Sequence, residues 1–277
     1  MDAIPVRGSA VRELSLAIPP ARMAPWRRGR PLKRWRYVGV FGPELMLCAA
    51  TVRIGPLRQR FWAIAEPGRP LRERTTMRAG GVSLDGSRVL VRSAGVEIDI
   101  ALEEDDGIEC VCPSGPSGYA WTRKQAGVAA TGSIRIDGRE ASVDARAVVD
   151  DSAGYHARRT AWRWCAGIGR SERGERIGWN LVAGVNDPPR GSERAIWGDG
   201  LPSEPAPVRF AEDLSSVSFS EGGRLDFTEW SAREDETDLV VFRSSYRQPF
   251  GSFAGTLPGG VRLAAGWGVM ERHEALW

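Results

Sequence analysis

The sequence predicts an all-β protein built from two antiparallel lobes in tandem, each a barrel or a sandwich. Most of the chain breaks into short segments in which apolar and polar residues alternate, which is the period of a strand with one buried face. Gly, Pro, Ser and Asp separate these segments at roughly regular spacing. No apolar stripe of helical period lasts longer than about two turns, so a sandwich or a barrel fits the pattern best.

Three parts follow one another along the chain. Residues 1–32 are rich in Pro and Arg and predict an irregular N-terminal arm, residues 33–150 a first β lobe, and residues 151–277 a second β lobe. The lobes are divided where the composition changes, at the run DDSAG that begins at Asp150. We expect the arm to pack along the body through four apolar residues, Leu14, Leu16, Ile18 and Trp26.

The strands of the first lobe are predicted at WRYVGVF, LMLCAATVRI, FWAIA, RVLVRS, VEIDIAL, GYAWTRK, GVAATGSIRI and REASVDARAVV. Ala94-Gly95 predicts a tight hairpin, and Asp137-Gly138 is a strong signal for a type I′ turn. Three strands are expected between Tyr155 and Gly200. PVRF, SVSFS, RLDFTEW, DLVVFRSSYR and VRLAAGWGVME complete the second lobe.

Composition excludes several classes of function. A net charge of +3 on 38 basic and 35 acidic residues gives no footprint for nucleic acid. No apolar run approaches the about 20 residues of a membrane helix, and the N-terminus lacks the apolar core of a signal peptide, so we expect a cytoplasmic protein without integral membrane association. With only two histidines, and a Cys110-Val-Cys112 spacing that suits neither zinc nor redox chemistry, we predict no metal and no cofactor.

One basic cluster stands near the start of the first lobe. Its members are Arg27, Arg28, Arg30, Lys33, Arg34 and Arg36. The cluster suits an anionic ligand, but we favour a solvated edge with some intramolecular ion pairs.

The stretch from Tyr155 to Gly200 concentrates the unusual residues of the chain. Strand alternation places Thr160, Trp162 and Trp164 on one face, and Arg159, Ala161, Arg163 and Cys165 on the other. His156 and Cys165 are too far apart along one strand to form a catalytic pair. Polar residues among so many indoles predict a pocket in which an acid acts beside an aromatic wall. The alternative is a satisfied structural network of acids and arginines.

Candidate residues follow from this pocket hypothesis. The candidate acids are Asp150, His156, Glu193 and Asp199. The candidate ligand-binding residues are Tyr155, Arg159, Trp162, Trp164, Trp179, Asn180, Trp197, Glu271 and His273. Four other tryptophans, Trp35, Trp62, Trp230 and Trp277, lack polar neighbours in the sequence and are interpreted as structural.

Several blocks in this order resemble one family. They are WTRKQAGVAATGSIRIDG, Asp150 with Gly154-Tyr155, RTAWRW, GWNL, Ser192-Glu193 with Asp199-Gly200, YRQPFG, and GVME with His273. The chain is identified by them as a member of the family of domain of unknown function 2804, over nearly its full length from about Pro31. The family looks similar to calycin- or lipocalin-like proteins with two β domains, including carotenoid hydratases, tocopherol-cyclase-like proteins and lipocalin-like pericyclases. That resemblance implies a lipocalin-like fold and cofactor-free chemistry, or binding of an apolar ligand, in a cavity in or between the β domains.

The leading hypothesis is a Trp-lined cavity that binds a small apolar or amphipathic molecule. The catalytic form of this hypothesis is a cofactor-independent hydration, cyclisation or isomerisation driven by an acid. A non-catalytic carrier is the first alternative, and it predicts that every buried carboxylate is paired to arginine. A structural or interaction protein, whose tryptophans only fill the core, is the second. The sequence leaves open the ligand, the oligomeric state and whether the protein is an enzyme.

Overall fold

The all-β prediction is confirmed by the computed structural model, which describes residues 4–78, 80–198, 201–239 and 242–276. In chain order the strands are β1 (Val6–Arg7), β2 (Trp26–Arg27), β3 (Arg30–Pro31), β4 (Lys33–Phe41), β5 (Met46–Ile54), β6 (Leu57–Ala65), β7 (Arg72–Thr76), β8 (Val82–Ser83), β9 (Arg88–Ser93), β10 (Val96–Glu103), β11 (Ile108–Ser114), β12 (Gly118–Ile136), β13 (Arg139–Gly154), β14 (Arg159–Ser171), β15 (Arg176–Ala183), β16 (Ala195–Trp197), β17 (Val208–Phe210), β18 (Ser216–Phe219), β19 (Arg224–Leu239), β20 (Phe242–Leu257) and β21 (Val261–Leu276). Short 3-10 turns lie at Gly8–Glu13 and Pro258–Gly260. Within the described ranges, no helix has the length and apolar composition needed to span a membrane.

Two large antiparallel sheets hold these strands, and each is curled into a half-barrel. The first has the order β7-β6-β5-β4-β13-β12-β10-β9-β8, with β11 joined to β12 and β1 joined to β11. The second has the order β16-β15-β14-β21-β20-β19-β18-β17. Strand β13 stays in the first sheet to Gly154, four residues beyond the predicted division at 150, and β14 opens the second sheet at Arg159. The lobe boundaries stay a prediction.

The two hairpins predicted from turn residues are confirmed. Ser93 pairs with Val96 across Ala94-Gly95. Ile136 pairs with Arg139, and the intervening Asp137 and Gly138 both have positive φ, 49° and 83°, as a type I′ turn requires. One predicted strand is wrong: DLVVFRSSYR covers the end of β19 and the start of β20, which pair with each other. Its β-branched and aromatic residues suit both strands equally, so the pattern gave no sign that the segment divides between them.

Strands buried on both faces explain the continuous apolar runs, because neither face then needs polar residues. One face of the first sheet carries Val38 and Trp62 into the core inside its curve. The opposite face carries Phe41, which packs with Phe250 and Val269 of the second sheet. A separate core fills the inside of the second sheet. The two sheets therefore meet face to face, and that contact region forms the site described below.

The N-terminal arm packs on the first sheet much as predicted. Ile18 is buried, and Leu14 and Leu16 pack against the same cluster, but Trp26 is 57% exposed. Trp26 lies in the two-stranded ribbon of β2 and β3, which belongs to neither large sheet. All four cysteines are buried and free, as expected for small apolar residues.

Candidate functional site

A cavity of about 160 Å³ lies between the two sheets. Strands β4, β5 and β6 form one wall, and β14, β20 and β21 form the opposite wall. A cavity of this size holds about one six-membered ring. It lies below the roughly 300 Å³ at which drug-sized ligand pockets begin, so it suits a small ligand or one end of a longer one.

Aromatic rings make up much of the wall. Trp35 stacks on His156 at 5.1 Å and on Trp162 at 6.3 Å between ring centroids. His273 lies against Trp162 at 4.3 Å and against the edge of Tyr246 at 5.3 Å. These contacts follow from register, because Trp162, His273 and Tyr246 are direct cross-strand partners on β14, β21 and β20.

Glu271 places a carboxyl group in this aromatic wall. Its Oε1 accepts a hydrogen bond from Trp162 Nε1 at 2.7 Å, and its Oε2 accepts from Tyr246 Oη at 3.0 Å and Gln248 Nε2 at 2.9 Å. No ion pair among the described residues includes Glu271. Burial raises the pKa of its carboxyl to about 7, and the hydrogen bonds from Trp162 and Tyr246 only partly oppose that rise. Glu271 can therefore hold or release a proton near neutral pH.

Lys124 forms a buried ion cluster on the first sheet. Its Nζ lies 2.6 Å from Asp150 Oδ1 and 3.3 Å from Glu193 Oε1, and all three side chains line the cavity. Burial raises the pKa of both carboxyls, and Lys124 opposes that rise. Burial acts to lower the pKa of Lys124, but the two carboxylates outweigh it and the pKa ends above its ordinary value. The cluster is thus a part of the wall in which each carboxyl already has a cation partner.

His156 and Lys33 are nearly neutral groups at pH 7. Burial, followed by the nearby Lys33, lowers the pKa of His156 to about 3. Burial, followed by Arg30, lowers the pKa of Lys33 to about 6. The Nε2 atom of His156 is buried and has no hydrogen-bond partner. His156 therefore offers the cavity a neutral imidazole, which can form a hydrogen bond with a ligand but is a weak base and carries no acidic proton at pH 7.

The structure brings together about half of the residues that the sequence proposed for the site. Those that line the cavity are Asp150, His156, Glu193, Trp162, Trp164, Glu271 and His273. Trp162 and Trp164 face it together, while Cys165 on the opposite face enters the second-sheet core, so the predicted alternation is confirmed. The individual functional roles stay predictions.

The other proposed residues lie elsewhere. Tyr155 donates to the Ala24 carbonyl in the arm contact, and Arg159 is exposed. Trp179 is fully buried in the second-sheet core, and Trp197 is half-buried on β16. Asn180 supports the wall from behind, accepting from Trp164 Nε1 at 2.8 Å. Asp199 is outside the described residues.

Sequence reasoning missed several residues of the wall. Trp35 was interpreted as structural, yet it lines the cavity, and Tyr246 was not singled out. Lys33 and Lys124 were missed as well, although one signal could have found them. They are the only lysines in an arginine-rich chain, and both line the cavity.

Comparisons with known proteins agree with the fold. The profile of the family described as Domain of unknown function (DUF2804) matches residues 71–277. This match starts later than the resemblance from Pro31 suggested. No curated protein matches the chain in sequence.

Solved structures with the same fold differ widely in sequence. An AttH-like protein of Nitrosomonas europaea has 13% identity and a TM-score of 0.54, with 94% of this chain and 98% of that chain covered. Kievitone hydratase of Nectria haematococca has 10% identity and a TM-score of 0.50, with 87% and 88% covered. These similarities confirm the predicted pair of calycin-like lobes. Because the sequence identities are so low, they support a conclusion about the fold only.

Proposed function

This chain belongs to the DUF2804 family, and we propose that it binds a small apolar or amphipathic molecule in the cavity between its two sheets. We propose further that Glu271 transfers a proton to that molecule in a cofactor-independent hydration, cyclisation or isomerisation. One observation carries the proposal: a carboxyl group with a pKa of about 7 and no cation partner lies in an aromatic cavity. The fold that the chain shares with a hydratase is consistent with this chemistry but does not establish it.

The hydrogen bonds of Glu271 favour Oε1 as the atom that carries the proton. It has one hydrogen-bond donor, Trp162, whereas Oε2 accepts from two donors. A carboxyl oxygen has room for two such interactions, so the second direction at Oε1 is open for donation. Tyr246 and Gln248 fix the orientation of the group. Glu271 is therefore better placed as the acid than Asp150 and Glu193, because both of those carboxyls already interact with Lys124.

The reaction can be followed through the side chains of the wall. The electron pair of an alkene or carbonyl takes the proton from Glu271, and positive charge develops on the ligand. Indole faces stabilise such charge, and Trp35 and Trp162 lie stacked on the wall where it forms. In a hydration, water adds to the cation and then loses a proton to the Glu271 carboxylate, which is a stronger base than the His156 imidazole and is thereby restored as the acid. In a cyclisation or isomerisation, a carbon atom of the cation loses a proton to Glu271 instead.

A non-catalytic carrier is the second candidate, and the Lys124 cluster favours it. Three of the four carboxyls that line the cavity pair with a cation, Asp150 and Glu193 with Lys124 and Asp235 with Arg233, although a carrier was expected to pair them all with arginine. Glu271 argues against it, because a carrier has no need for a buried carboxyl without a cation. A purely structural protein would have no need of a cavity with an unpartnered imidazole beside it.

The first test is capture of the native ligand. The protein is purified from its own organism, weighed by native mass spectrometry, and extracted with organic solvent after denaturation. We expect a small apolar or amphipathic molecule at up to one per chain, with less of it retained by Trp162→Ala. Trp26→Ala, which changes an exposed indole outside the cavity, is the matched control. If neither extraction nor a panel of terpenoids and polyketides yields a compound whose binding Trp162→Ala weakens, the proposal of a binding cavity fails.

A further inference from the structure

Arginine side chains border the apolar core on the inner face of the first half-barrel. Along β4 the residues on this face are Arg34, Arg36 and Val38, so two cations precede the apolar core. Strand β6 repeats the arrangement, with Arg58 and Arg60 ahead of Trp62. An open cleft of about 770 Å³ lies over these cations, and seven arginines and only two aspartates line it. The volume falls within the range of ligand pockets.

Register places three of these arginines in a row. Arg34 is the cross-strand partner of Arg53, and Arg53 is the partner of Arg58. Neighbouring strands are about 4.8 Å apart, so the row spans roughly 10 Å at its base. Arg60 stands two residues from Arg58 on the same face. Four guanidinium groups therefore point into one cleft from three adjacent strands.

Other arginines at this cleft are neutralised, but these four are not. Arg36 and Arg123 both pair with Asp151 and Glu104. No ion pair between described residues includes Arg34, Arg53, Arg58 or Arg60, and the Nε atom of Arg34 is buried without a hydrogen-bond partner. Like charges directly opposite each other in a sheet are destabilising. The row is therefore a destabilising arrangement unless an anion lies between its members.

We propose that this cleft binds a small molecule with two linked phosphate groups, or a phosphate ester of similar charge. Guanidinium groups bond to phosphate oxygens in a two-pronged geometry, and neighbouring arginines can share one anion. Two linked phosphates match a row of about 10 Å better than one. Trp35, Val52 and Gln59 border both the cleft and the aromatic cavity, but strand alternation places the four arginines on the opposite faces of β4, β5 and β6, so their guanidinium groups belong to the cleft alone. The proposal also revises the interpretation of the basic cluster. Arg34 belongs to the arginine row, whereas Arg36 forms the intramolecular ion pairs expected of a solvated edge.

Titration of the full chain with inorganic pyrophosphate tests the site. Isothermal calorimetry is expected to show binding of one pyrophosphate per chain, weakening as salt is added. The double variant Arg53→Gln/Arg58→Gln is expected to bind at least about tenfold more weakly, because it loses two charge-assisted contacts. Both side chains are exposed, so the variant should fold. Arg190→Gln/Arg209→Gln, with the same change of charge at two exposed positions, one between β15 and β16 and one on β17, is the control and should bind as the native chain does.

Thermal unfolding supplies a second readout that does not depend on calorimetric heats. Without ligand, the Arg53→Gln/Arg58→Gln variant should melt at a higher temperature than the native chain, since repulsion in the row is relieved. Pyrophosphate should raise the melting temperature of the native chain and of the control, but not of the variant. The proposal is overturned if pyrophosphate fails to bind, or if both double variants weaken binding equally. It is also overturned if the chain binds phosphatidylcholine vesicles containing phosphatidic acid but not pyrophosphate, which would make the cleft a lipid headgroup site.

Discussion

The Glu271→Gln variant is expected to lose about 10²–10⁴-fold in turnover of the extracted ligand while still binding it. Glutamine keeps the shape of the side chain, and its single carbonyl oxygen can still accept from Tyr246 and Gln248, but its amide cannot give up a proton to an alkene or carbonyl. Turnover and binding are measured on the same preparation, by product formation and by tryptophan fluorescence. The control is Glu274→Gln, an exposed position three residues further along β21. Equal turnover by both variants would remove Glu271 from the mechanism.

The Glu271→Gln substitution is also expected to change how the free energy of unfolding depends on pH. Burial raises the pKa of Glu271 from 4.5 to about 7, so the native state holds this proton more tightly than the unfolded chain. The stabilisation is fully present below about pH 4.5 and is lost as pH rises through 7, a loss of about 3 kcal/mol. Lys33 acts in the opposite direction above pH 6, because its pKa is lowered. The difference in free energy of unfolding between the native chain and Glu271→Gln cancels the contribution of Lys33, which both proteins share. What remains is the contribution of Glu271.

Removing the charge of Lys124 should produce the largest loss of stability in the site. The Lys124→Met variant leaves Asp150 and Glu193 buried without a cation, and breaking a buried ion pair in this way costs about 3–5 kcal/mol. Without Lys124 the pKa of each carboxyl rises further, since burial is then opposed by hydrogen bonds alone. The destabilisation should therefore be largest at pH 8 and smaller at pH 5, where the carboxyls can protonate. Urea unfolding followed by tryptophan fluorescence measures it.

A rescue variant separates charge from packing in this prediction. Adding Asp150→Asn and Glu193→Gln to Lys124→Met removes all three charges and should recover much of the lost stability, because no buried charge remains unpaired. A loss that is the same at pH 5 and pH 8, and that the triple variant does not recover, would show that Lys124 acts through its packing.

Much of the fold could be predicted from the sequence, because the signals for turns and strand faces are local. Asp137-Gly138 specifies a type I′ turn with its own side chains, and the alternation around Trp162 and Trp164 gives the faces of β14 directly. The hairpin between β19 and β20 was missed because no turn residue stands between Leu239 and Phe242. The end of the first lobe was also indistinct, because β13 crosses the change in composition without a break.

The site depends on pairings that no local pattern shows. Glu271 reaches Trp162 because β14 pairs with β21, about one hundred residues later in the chain, and Trp35 enters the same wall from the other sheet. Glu271 was proposed to contact ligand, and only its hydrogen bonds and lack of a cation favour it as the acid. Trp179 looked equivalent to Trp162 in the sequence, yet it faces the core of the second sheet. Register between distant strands decided each of these outcomes.

The titration of Glu271 tests the central claim most directly and needs no knowledge of the ligand. Trp162 Nε1 donates to this carboxyl, so the indole N–H of Trp162 should report its charge in a proton–nitrogen correlation spectrum. We expect the chemical shift of that group to change with a midpoint near pH 7, and the change to be absent in Glu271→Gln. A midpoint near the ordinary value of 4.5 would mean that Glu271 is ionised at neutral pH, which contradicts its assignment as the acid.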